Sequence, residues 1–398
     1  MLIPSIDLLD GQTVQLIGGE EKALDAGPPA PIAERFGVVG EVAVIDLSAA
    51  LGRGSNRALI DGLLSTTRCR VGGGIRDLET AIGWLDRGAE KVILGTRAVP
   101  EILRELPKER VIAAVDAFSG EVVVEGWKTR TGERTEDRVA ALAPYVGGFL
   151  ITFVEREGRL GGSALDQMPA LVRAAGAARV TFAGGVTTAD EVRAIDALGA
   201  DAQVGMALYT GRLGLGEAAI APLLGSGPWP TVLTDEDGTA LAVAMLDRAA
   251  LIRLIEDRGL GGANVLRVDL ETAGGARQAV RVMLRGPNLP RSFGPAAGLP
   301  ALMETLRARR QEAPPGSYAR RLFDDPPLLA AKLEEEAKEL AEATDRAHVI
   351  AEAADVAFMS SVALARAGAD WTDVARALDR RAKKISRRGG DAKPKKEP

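Results

Sequence analysis

Short apolar runs rich in β-branched residues alternate with amphipathic stretches over the first 224 residues of the chain. An apolar run followed by a helical stretch or a long loop, as Leu78–Arg87 follows the third run, is typical of a βα unit. Eight such units predict an α/β fold with a (β/α)8 TIM barrel over residues 1–224, and a doubly wound sheet is the alternative. The eight candidate strands are Leu2–Asp7, Val42–Asp46, Arg68–Val71, Lys91–Leu94, Val111–Asp116, Gly148–Thr152, Val180–Ala183 and Asp201–Val204.

The pattern changes after the turn-rich segment Gly225–Trp229. A hairpin through Asp237 and Gly238 leads into a predicted helix, Asp247–Arg258, and two further β patterns follow. These patterns are Val265–Leu270 and Gln278–Leu284. We therefore expect a small α+β domain over residues 228–308.

The last part of the chain is predicted to be helical. Arg309–Gly316 is rich in proline and charge and is predicted to be a linker, and an all-α domain is expected over residues 316–388. The remaining tail, residues 389–398, is polar and charged, which predicts disorder.

Three elements of the predicted barrel recur at a nearly constant spacing. Asp7 at the end of strand one recurs as Asp116 at the end of strand five, 109 residues later. Gly74 recurs as Gly185 after 111 residues, and Gly95 as Gly205 after 110. A constant offset indicates a doubled half-domain. It predicts a ligand with two anionic ends and a reacting centre between two carboxylates.

The two aspartates have the positions that acid–base chemistry needs. In a barrel the active site lies at the carboxyl ends of the strands, where Asp7 and Asp116 would face one ligand from opposite sides. One carboxyl group could remove a proton while the other donates one. The alternative is that each aspartate only caps a loop or a helix.

The glycines predict two phosphate sites, one in each half. They follow strands and precede helices, where bare backbone N–H groups and a helix N-terminus can hold a phosphate. Residues of the next strand would complete each site. The alternative is that these glycines only permit tight turns. The candidate residues are Gly73, Gly74, Gly95 and Thr96 in the first half and Gly184, Gly185, Gly205 and Met206 in the second.

Composition excludes several classes of protein. The net charge of −5 argues against an extended nucleic-acid surface. One cysteine, Cys69, and one histidine, His348, exclude a disulfide framework and a zinc site of cysteines and histidines. No apolar run approaches a membrane span, and the N-terminus has no basic region, so we expect a cytoplasmic protein without a membrane partner.

Five acidic residues of the helical region fall on two predicted helices. Carboxylates three or four residues apart share a helix face, so two such helices can direct their oxygens at one point. Hard oxygen ligands suit Mg²⁺, whereas the alternative is a solvated acidic face. The candidate ligands are Glu335, Glu336, Glu339, Glu352 and Asp355.

The barrel motifs carry a family resemblance. IPSIDLLDGQTVQL, RVGGGIRD, VILGTRAV, VDAFSGEVVVEGW and FAGGV resemble the phosphoribosylformimino-aminoimidazole carboxamide ribotide isomerases of histidine biosynthesis. The resemblance implies an Amadori rearrangement of an aminoaldose to an aminoketose without metal or cofactor. It implies that Asp7 accepts the proton, that Asp116 donates one or assists, and that Thr152 lines the pocket.

Three positions depart from the pattern of this isomerase family. Glu157 stands where an aspartate is usual, and Gln15 and Met206 stand where arginines are common. A displacement of ~1 Å can cost ~10²-fold in rate, so the longer Glu157 side chain matters. These departures leave two alternatives open, a barrel with a changed substrate and a non-catalytic scaffold.

The helical region resembles the MazG-type phosphoribosyl-ATP pyrophosphohydrolases. SYARRLFDDPPLLAAKLEEEAKELAEA and EAADVAF carry this resemblance. It implies hydrolysis of phosphoribosyl-ATP to phosphoribosyl-AMP and pyrophosphate, with Mg²⁺ on the acidic residues and a homodimer formed through the helical domain. Its substrates, like those of the barrel, would be small phosphoribosyl compounds.

The middle segment is similar to the start of phosphoribosyl-AMP cyclohydrolase. That family needs zinc held by cysteines, whereas this chain has Asn288 and Leu289 where polar ligands are expected, and we predict no zinc. The segment is interpreted as a catalytically inactive relic, with an unrelated α+β spacer as the alternative. Together the resemblances predict a fused enzyme of histidine biosynthesis.

Overall fold

The computed structural model describes residues 1–19, 21–273, 276–286, 289–293, 297–314 and 316–385. Two compact units are present, Met1–Pro290 and Arg291–Ala382. The predicted disorder of residues 389–398 and the prediction for Asn288 lie outside the described residues.

The first unit begins with the predicted barrel. Eight strands pair in parallel in the order β1-β4-β5-β6-β7-β10-β11-β12, and β12 pairs back with β1. The closed sheet confirms all eight predicted strands and excludes the doubly wound alternative. The strands of this region are β1 Leu2–Leu9, β2 Gln12–Ile17, β3 Glu21–Gly27, β4 Val42–Asp46, β5 Cys69–Gly72, β6 Lys91–Leu94, β7 Val111–Phe118, β8 Glu121–Val124, β9 Thr129–Arg134, β10 Gly148–Phe153, β11 Arg179–Ala183 and β12 Asp201–Val204.

Helices cover the outside of the barrel because alternate strand residues such as Val44 and Phe182 point outward and are fully buried. These helices are α1 Pro29–Gly37, α2 Leu47–Ala50, α3 Arg57–Thr66, α4 Leu78–Asp86, α5 Pro100–Leu103, α6 Thr135–Leu142, α7 Met168–Ala175, α8 Ala189–Ala197, α9 Met206–Tyr209 and α10 Leu215–Ile220.

Two antiparallel extensions, which the sequence did not predict, rise from the barrel mouth. β1 continues past Asp7 and pairs with β2, and β7 continues past Asp116 and pairs with β8. Asp7 lies opposite Val14, and Asp116 lies opposite Val123. The two pairs have the 109-residue spacing of the repeat, so the extensions belong to the duplicated half-barrel.

The predicted α+β elements are present, with the hairpin, the helix and both later strands confirmed. They form a sheet of order β14-β13-β17-β16-β15, and this sheet belongs to the same compact unit as the barrel. Arg277 of the sheet donates to Asp196 of the barrel, with Nε and Oδ2 2.9 Å apart. The elements are β13 Trp229–Thr234, β14 Ala240–Leu246, α11 Arg248–Asp257, β15 Gly259–Leu260, β16 Ala263–Ala273 and β17 Ala276–Arg285.

The second unit is helical, and it begins earlier than predicted. Its helices are α12 Gly298–Glu312, α13 Tyr318–Asp324, α14 Pro326–Glu342, α15 Arg346–Ala367 and α16 Trp371–Lys383. The predicted linker Arg309–Gly316 is wrong over its first four residues, because α12 continues to Glu312. Met303 and Leu306 of α12 share a core with Leu322 and Val362, so residues assigned to the α+β domain up to 308 belong partly to the helical unit.

One helix, α15, differs from the expectation that no segment approaches a membrane span. Its 22 residues and a mean hydropathy of 1.4 are sufficient for a span by length and composition alone, and 17% of its most apolar window is buried. The same helix carries Glu352 and Asp355.

Candidate functional site

Two half-buried aspartates face the mouth of the barrel from the extended ends of β1 and β7. Burial raises the pKa of Asp7 from 3.8 to about 7, although a hydrogen bond from Gln15 acts in the opposite direction. Gln15 Nε2 lies 3.2 Å from Asp7 Oδ2. Burial also raises the pKa of Asp116, and hydrogen bonds from Trp127 and Thr152 lower it in part. Thr152 lies opposite Asp116 in the pairing of β10 with β7.

A third carboxyl group, Glu157, joins this pair. It follows a 3₁₀ turn at the end of β10, and its pKa is raised from 4.5 to about 8 by burial and then by the charges of Asp7 and Asp116. Mutual electrostatic influence requires the three groups to be close. Because the pKa of Asp7 is raised to about 7 and that of Glu157 to about 8, the cluster can hold a protonated acid beside an ionised base, which general acid–base catalysis needs.

The glycine turns of the two halves have matching geometry. Gly73 and Gly184 have φ of 90° and 96°, and Gly74 and Gly185 have φ of 70° and 81°. A Cβ on Gly73 would lie 2.3 Å from the Asp46 carbonyl oxygen, and one on Gly185 would lie 2.3 Å from the Gly162 carbonyl oxygen. These positions therefore require glycine both for the backbone conformation and for the close approach of the preceding loops.

The residues predicted to complete each glycine turn lie at the end of the next strand. In the first half Gly95 and Thr96 are exposed at the end of β6. In the second half Gly205 and Met206 line a pocket with Gly184 and Gly185. We call these two groups of four residues the first and second cradles.

Cations that the sequence reasoning missed lie beside the first cradle. Arg76 donates to the carbonyl oxygen of Ala50 at 3.0 Å, and Arg97 donates to the carbonyl oxygen of Arg76 at 3.1 Å. The equivalent positions in the second half are Thr187 and Ala207. A positional comparison of the two halves could have found this difference.

The two extensions meet above the carboxyl cluster. A Cβ on Gly19 would lie 2.6 Å from the Trp127 ring, so this indole packs directly on the turn between β2 and β3. Glu125, Gly126 and Trp127 all have positive φ, of 56°, 66° and 70°. A strained turn of this kind persists where the surrounding structure holds it, and here it directs Trp127 towards Asp116. Local sequence does not reveal this contact.

In the helical unit, three of the five candidate ligands converge. One carboxylate oxygen from each of Glu336, Glu352 and Asp355 lies within 4.8 Å of the others. Glu335 instead accepts from Lys332 Nζ at 2.6 Å, and Glu339 is near enough to influence Glu336. Desolvation and the charges of Asp355 and Glu339 raise the pKa of Glu336. Hard oxygen donors whose negative charges repel one another in this way suit a divalent cation.

Comparison with known proteins accounts for both regions. The sequence profile of the histidine biosynthesis protein family matches residues 1–214, which is more than half of the chain. This chain belongs to that family. A second profile, phosphoribosyl-ATP pyrophosphohydrolase, matches residues 299–382.

Family members that resemble the barrel share one printed name, 1-(5-phosphoribosyl)-5-((5-phosphoribosylamino)methylideneamino) imidazole-4-carboxamide isomerase. The protein of Haloarcula marismortui is 41% identical over an alignment of 239 residues, with 56% of this chain and 96% of the relative covered. The protein of Methanocaldococcus jannaschii is 33% identical over 55% of this chain and 97% of the relative. The protein of Myxococcus xanthus is 40% identical over 53% of this chain and 94% of the relative.

Proposed function

We propose that the barrel isomerises an aminoaldose to an aminoketose on an imidazole carboxamide with two phosphoribosyl groups, and that the helical unit hydrolyses phosphoribosyl-ATP to phosphoribosyl-AMP and pyrophosphate. Both reactions belong to histidine biosynthesis. The observation that carries the barrel proposal is a pair of half-buried aspartates at equivalent positions between two equivalent glycine cradles. A substrate with a phosphate at each end would place its reacting sugar between the aspartates.

The acid–base cluster suits each proton transfer of this isomerisation. A protonated acid, Asp116, would donate to the ring oxygen, so the ring carbon–oxygen bond breaks and an open-chain Schiff base forms. Asp7 would then remove the proton on C2 to give an enolamine. Return of a proton to C1, with loss of the proton from the C2 hydroxyl, gives the aminoketose, so atoms and electrons balance without a cofactor. Glu157, Thr152 and Trp127 would keep this region closed and the two carboxyl groups correctly placed.

The test of the barrel is the isomerase activity of the purified chain and of Asp7→Asn and Asp116→Asn. Because each substitution removes a proton-transfer group, we expect kcat to fall by about 10²- to 10⁴-fold. Asp10→Asn is the matched control, since Asp10 is an exposed carboxylate just beyond β1. Absence of wild-type activity would favour the changed-substrate or scaffold alternative, and full activity of Asp7→Asn would exclude its role as the base.

We propose Glu336, Glu352 and Asp355 as the core of an Mg²⁺ site, with Glu339 beside them. Glu335 would become a ligand of the ion only after its salt bridge with Lys332 breaks. Their oxygens are close enough to converge on one ion, and the raised pKa of Glu336 is the expected effect of carboxylates gathered without a metal. When bound, Mg²⁺ would neutralise charge on the pyrophosphate group. The acidic residues would position it on the helical surface.

For this site we expect Glu336→Gln to abolish the heat of Mg²⁺ binding in calorimetry and to reduce phosphoribosyl-ATP hydrolysis at least about 10²-fold, because one charged ligand is lost. Chelation by EDTA should stop the same reaction and leave isomerisation unchanged. Glu334→Gln, an exposed neighbour on α14, is the control. Unaltered Mg²⁺ binding by Glu336→Gln would refute the assignment.

We also propose that the chain is a cytoplasmic homodimer joined through the helical unit, with no nucleic-acid or membrane partner. The apolar but largely unburied α15 supports a helix–helix interface. The α+β segment is proposed to be a zinc-free relic of a cyclohydrolase, since the chain's single cysteine and single histidine lie outside it.

A further inference from the structure

The surroundings of the two cradles differ in polarity. Beside the first cradle Ile93 packs with Ile112 and Leu150, and Ala114 lies against this apolar cluster. At the offsets of the repeat, the equivalents of Ile93 and Ala114 are Gln203 and Ser5. The interior beside the first cradle is therefore apolar, whereas two polar side chains, Gln203 of β12 and Ser5 of the neighbouring β1, occupy the equivalent positions beside the second cradle.

Gln203 and Ser5 are neighbours on the floor of the second cradle. β12 and β1 pair with Gln203 opposite Ile3, and Ser5 follows on the same strand face, one step nearer the mouth. Both line the pocket that contains Gly184, Gly185 and Gly205. A Cβ on Gly205 would lie 2.8 Å from Ser5 Oγ, so this hydroxyl lies directly under the glycine.

On this floor the Ser5 backbone accepts a hydrogen bond, and one buried oxygen of Gln203 has no partner among the described residues. Tyr209 donates to the backbone oxygen of Ser5 at 2.9 Å and fixes its position. Gln203 Oε1 is buried and has no hydrogen-bond partner among the residues that the structure describes. An unpartnered buried amide oxygen destabilises a protein, and the equivalent isoleucine avoids that cost. Retention of a carboxamide here is explained if it serves a ligand.

We propose that Ser5 and Gln203 form a hydroxyl-binding subsite, which takes a sugar hydroxyl from the phosphosugar end held by the second cradle. The identity of the ligand as a phosphosugar rests on the proposed function. A hydroxyl both donates and accepts, and Ser5 Oγ and the Gln203 carboxamide offer both kinds of partner. Because alanine and isoleucine stand at the equivalent positions beside the first cradle, the subsite distinguishes the two ends of a nearly symmetric substrate.

The test replaces Ser5 and Gln203 with the alanine and isoleucine that stand at the equivalent positions 114 and 93 beside the first cradle. Calorimetric titrations with ribose 5-phosphate and with inorganic phosphate compare the wild type, Ser5→Ala/Gln203→Ile and the control Ile93→Val. We expect two sites for ribose 5-phosphate in the wild type, one of which weakens about 5- to 10-fold in the double variant. The affinity of the double variant for inorganic phosphate should equal that of the wild type. The affinities of the Ile93→Val control for both ligands should also equal those of the wild type.

Thermal unfolding of the ligand-free proteins separates this role from a structural one. The double variant removes an unpartnered buried oxygen, so its Tm should equal or exceed that of the wild type. A lower Tm of the double variant, together with an equal loss of affinity for ribose 5-phosphate and for inorganic phosphate, would overturn the subsite. Unchanged binding of ribose 5-phosphate by the double variant would also overturn it.

The binding test does not depend on turnover. If the wild type has no isomerase activity but the double variant still binds ribose 5-phosphate more weakly than the wild type, the proposed reaction is refuted and the subsite is supported. Normal isomerisation with an unchanged KM in the double variant would refute the subsite alone.

Discussion

Glu157 acquires its chemistry from residues that are distant in the chain. Asp7 and Asp116 lie 150 and 41 positions before it, and their charges add to burial in raising its pKa to about 8. In the sequence the residue is only a glutamate where the isomerase family usually has aspartate. In the structure it is a carboxyl group that remains protonated at neutral pH beside two potential proton carriers.

This raised pKa predicts a dependence of stability on pH. Unfolded Glu157 titrates near 4.5, so between about pH 4.5 and 8 the folded state holds a proton that the unfolded state releases. Its contribution to stability is therefore present below that window and is lost as the pH rises. Glu157→Gln removes the ionisation, and we expect it to be more stable than the wild type at pH 8, by on the order of 2 kcal/mol.

Denaturant titrations at pH 5 and pH 8 measure this difference. The advantage of Glu157→Gln should shrink towards pH 5, and the exposed Glu105→Gln should show no such trend. An advantage of equal size at both pH values would contradict the assignment of the titration to Glu157.

At the scale of elements, the antiparallel extensions close the mouth. The turn between β2 and β3 contacts the loop after β10, with Gly18 N 3.3 Å from the Glu157 carbonyl oxygen. The turn between β8 and β9 supplies Trp127, which packs on Gly19. Each extension continues one of the aspartate-bearing strands, so the positions of Asp7 and Asp116 and closure of the mouth are coupled through continuous backbone.

Adjacent glycines provide a matched test of this closure. Gly19→Ala would place a Cβ 2.6 Å from the Trp127 ring, whereas the nearest atom to a Cβ on Gly18 is 3.8 Å away. Both glycines have positive φ, so backbone strain is similar in the two variants. We expect Gly19→Ala to displace Trp127, change tryptophan emission and lower isomerase kcat/KM about tenfold.

Gly18→Ala should retain the wild-type emission and should lose much less activity. Equal losses in the two variants would show that backbone strain, and not the contact with Trp127, controls the site.

At the scale of the whole molecule, the chain combines two kinds of site within one polypeptide. The barrel site is formed within one compact unit from a duplicated half, and the acidic site is formed by the helices α14 and α15 of the other. Much of α15 is exposed in the single chain, including Ile350 at 53%. A second copy of the same helical unit would cover such a surface and remove apolar area from water.

The proposed dimer gives a direct prediction of mass. Light scattering after gel filtration should give twice the 41.7 kDa of the chain, and Ile350→Glu should give the single-chain mass, because a charge would be buried in the interface. Val243→Glu is a matched control, since Val243 on β14 is also 53% exposed. Dissociation by Val243→Glu, or a dimer that persists in Ile350→Glu, would place the interface elsewhere.

The sequence by itself determined the closed barrel, its duplication and the helical region. Hydrophobic periodicity identifies strands and helices locally, and the 109-residue offset between Asp7 and Asp116 is a property of the sequence that does not depend on packing. The positions of the two aspartates and of the glycine turns were predictable for the same reason, since they lie at strand ends. The α12 boundary was missed because its apolar residues are sparse, and only packing against Leu322 and Val362 assigns it to the helical unit.

Tertiary structure decided the properties that depend on distance and burial. It gave Glu157 and Asp7 their raised pKa values, brought Trp127 onto Gly19 and selected Glu336, Glu352 and Asp355 from five acidic candidates. It also placed Ser5 beside Gln203 under Gly205, although these residues are about 200 positions apart in the chain. Electrostatic interaction and desolvation act through space, so spacing along the sequence alone does not determine them.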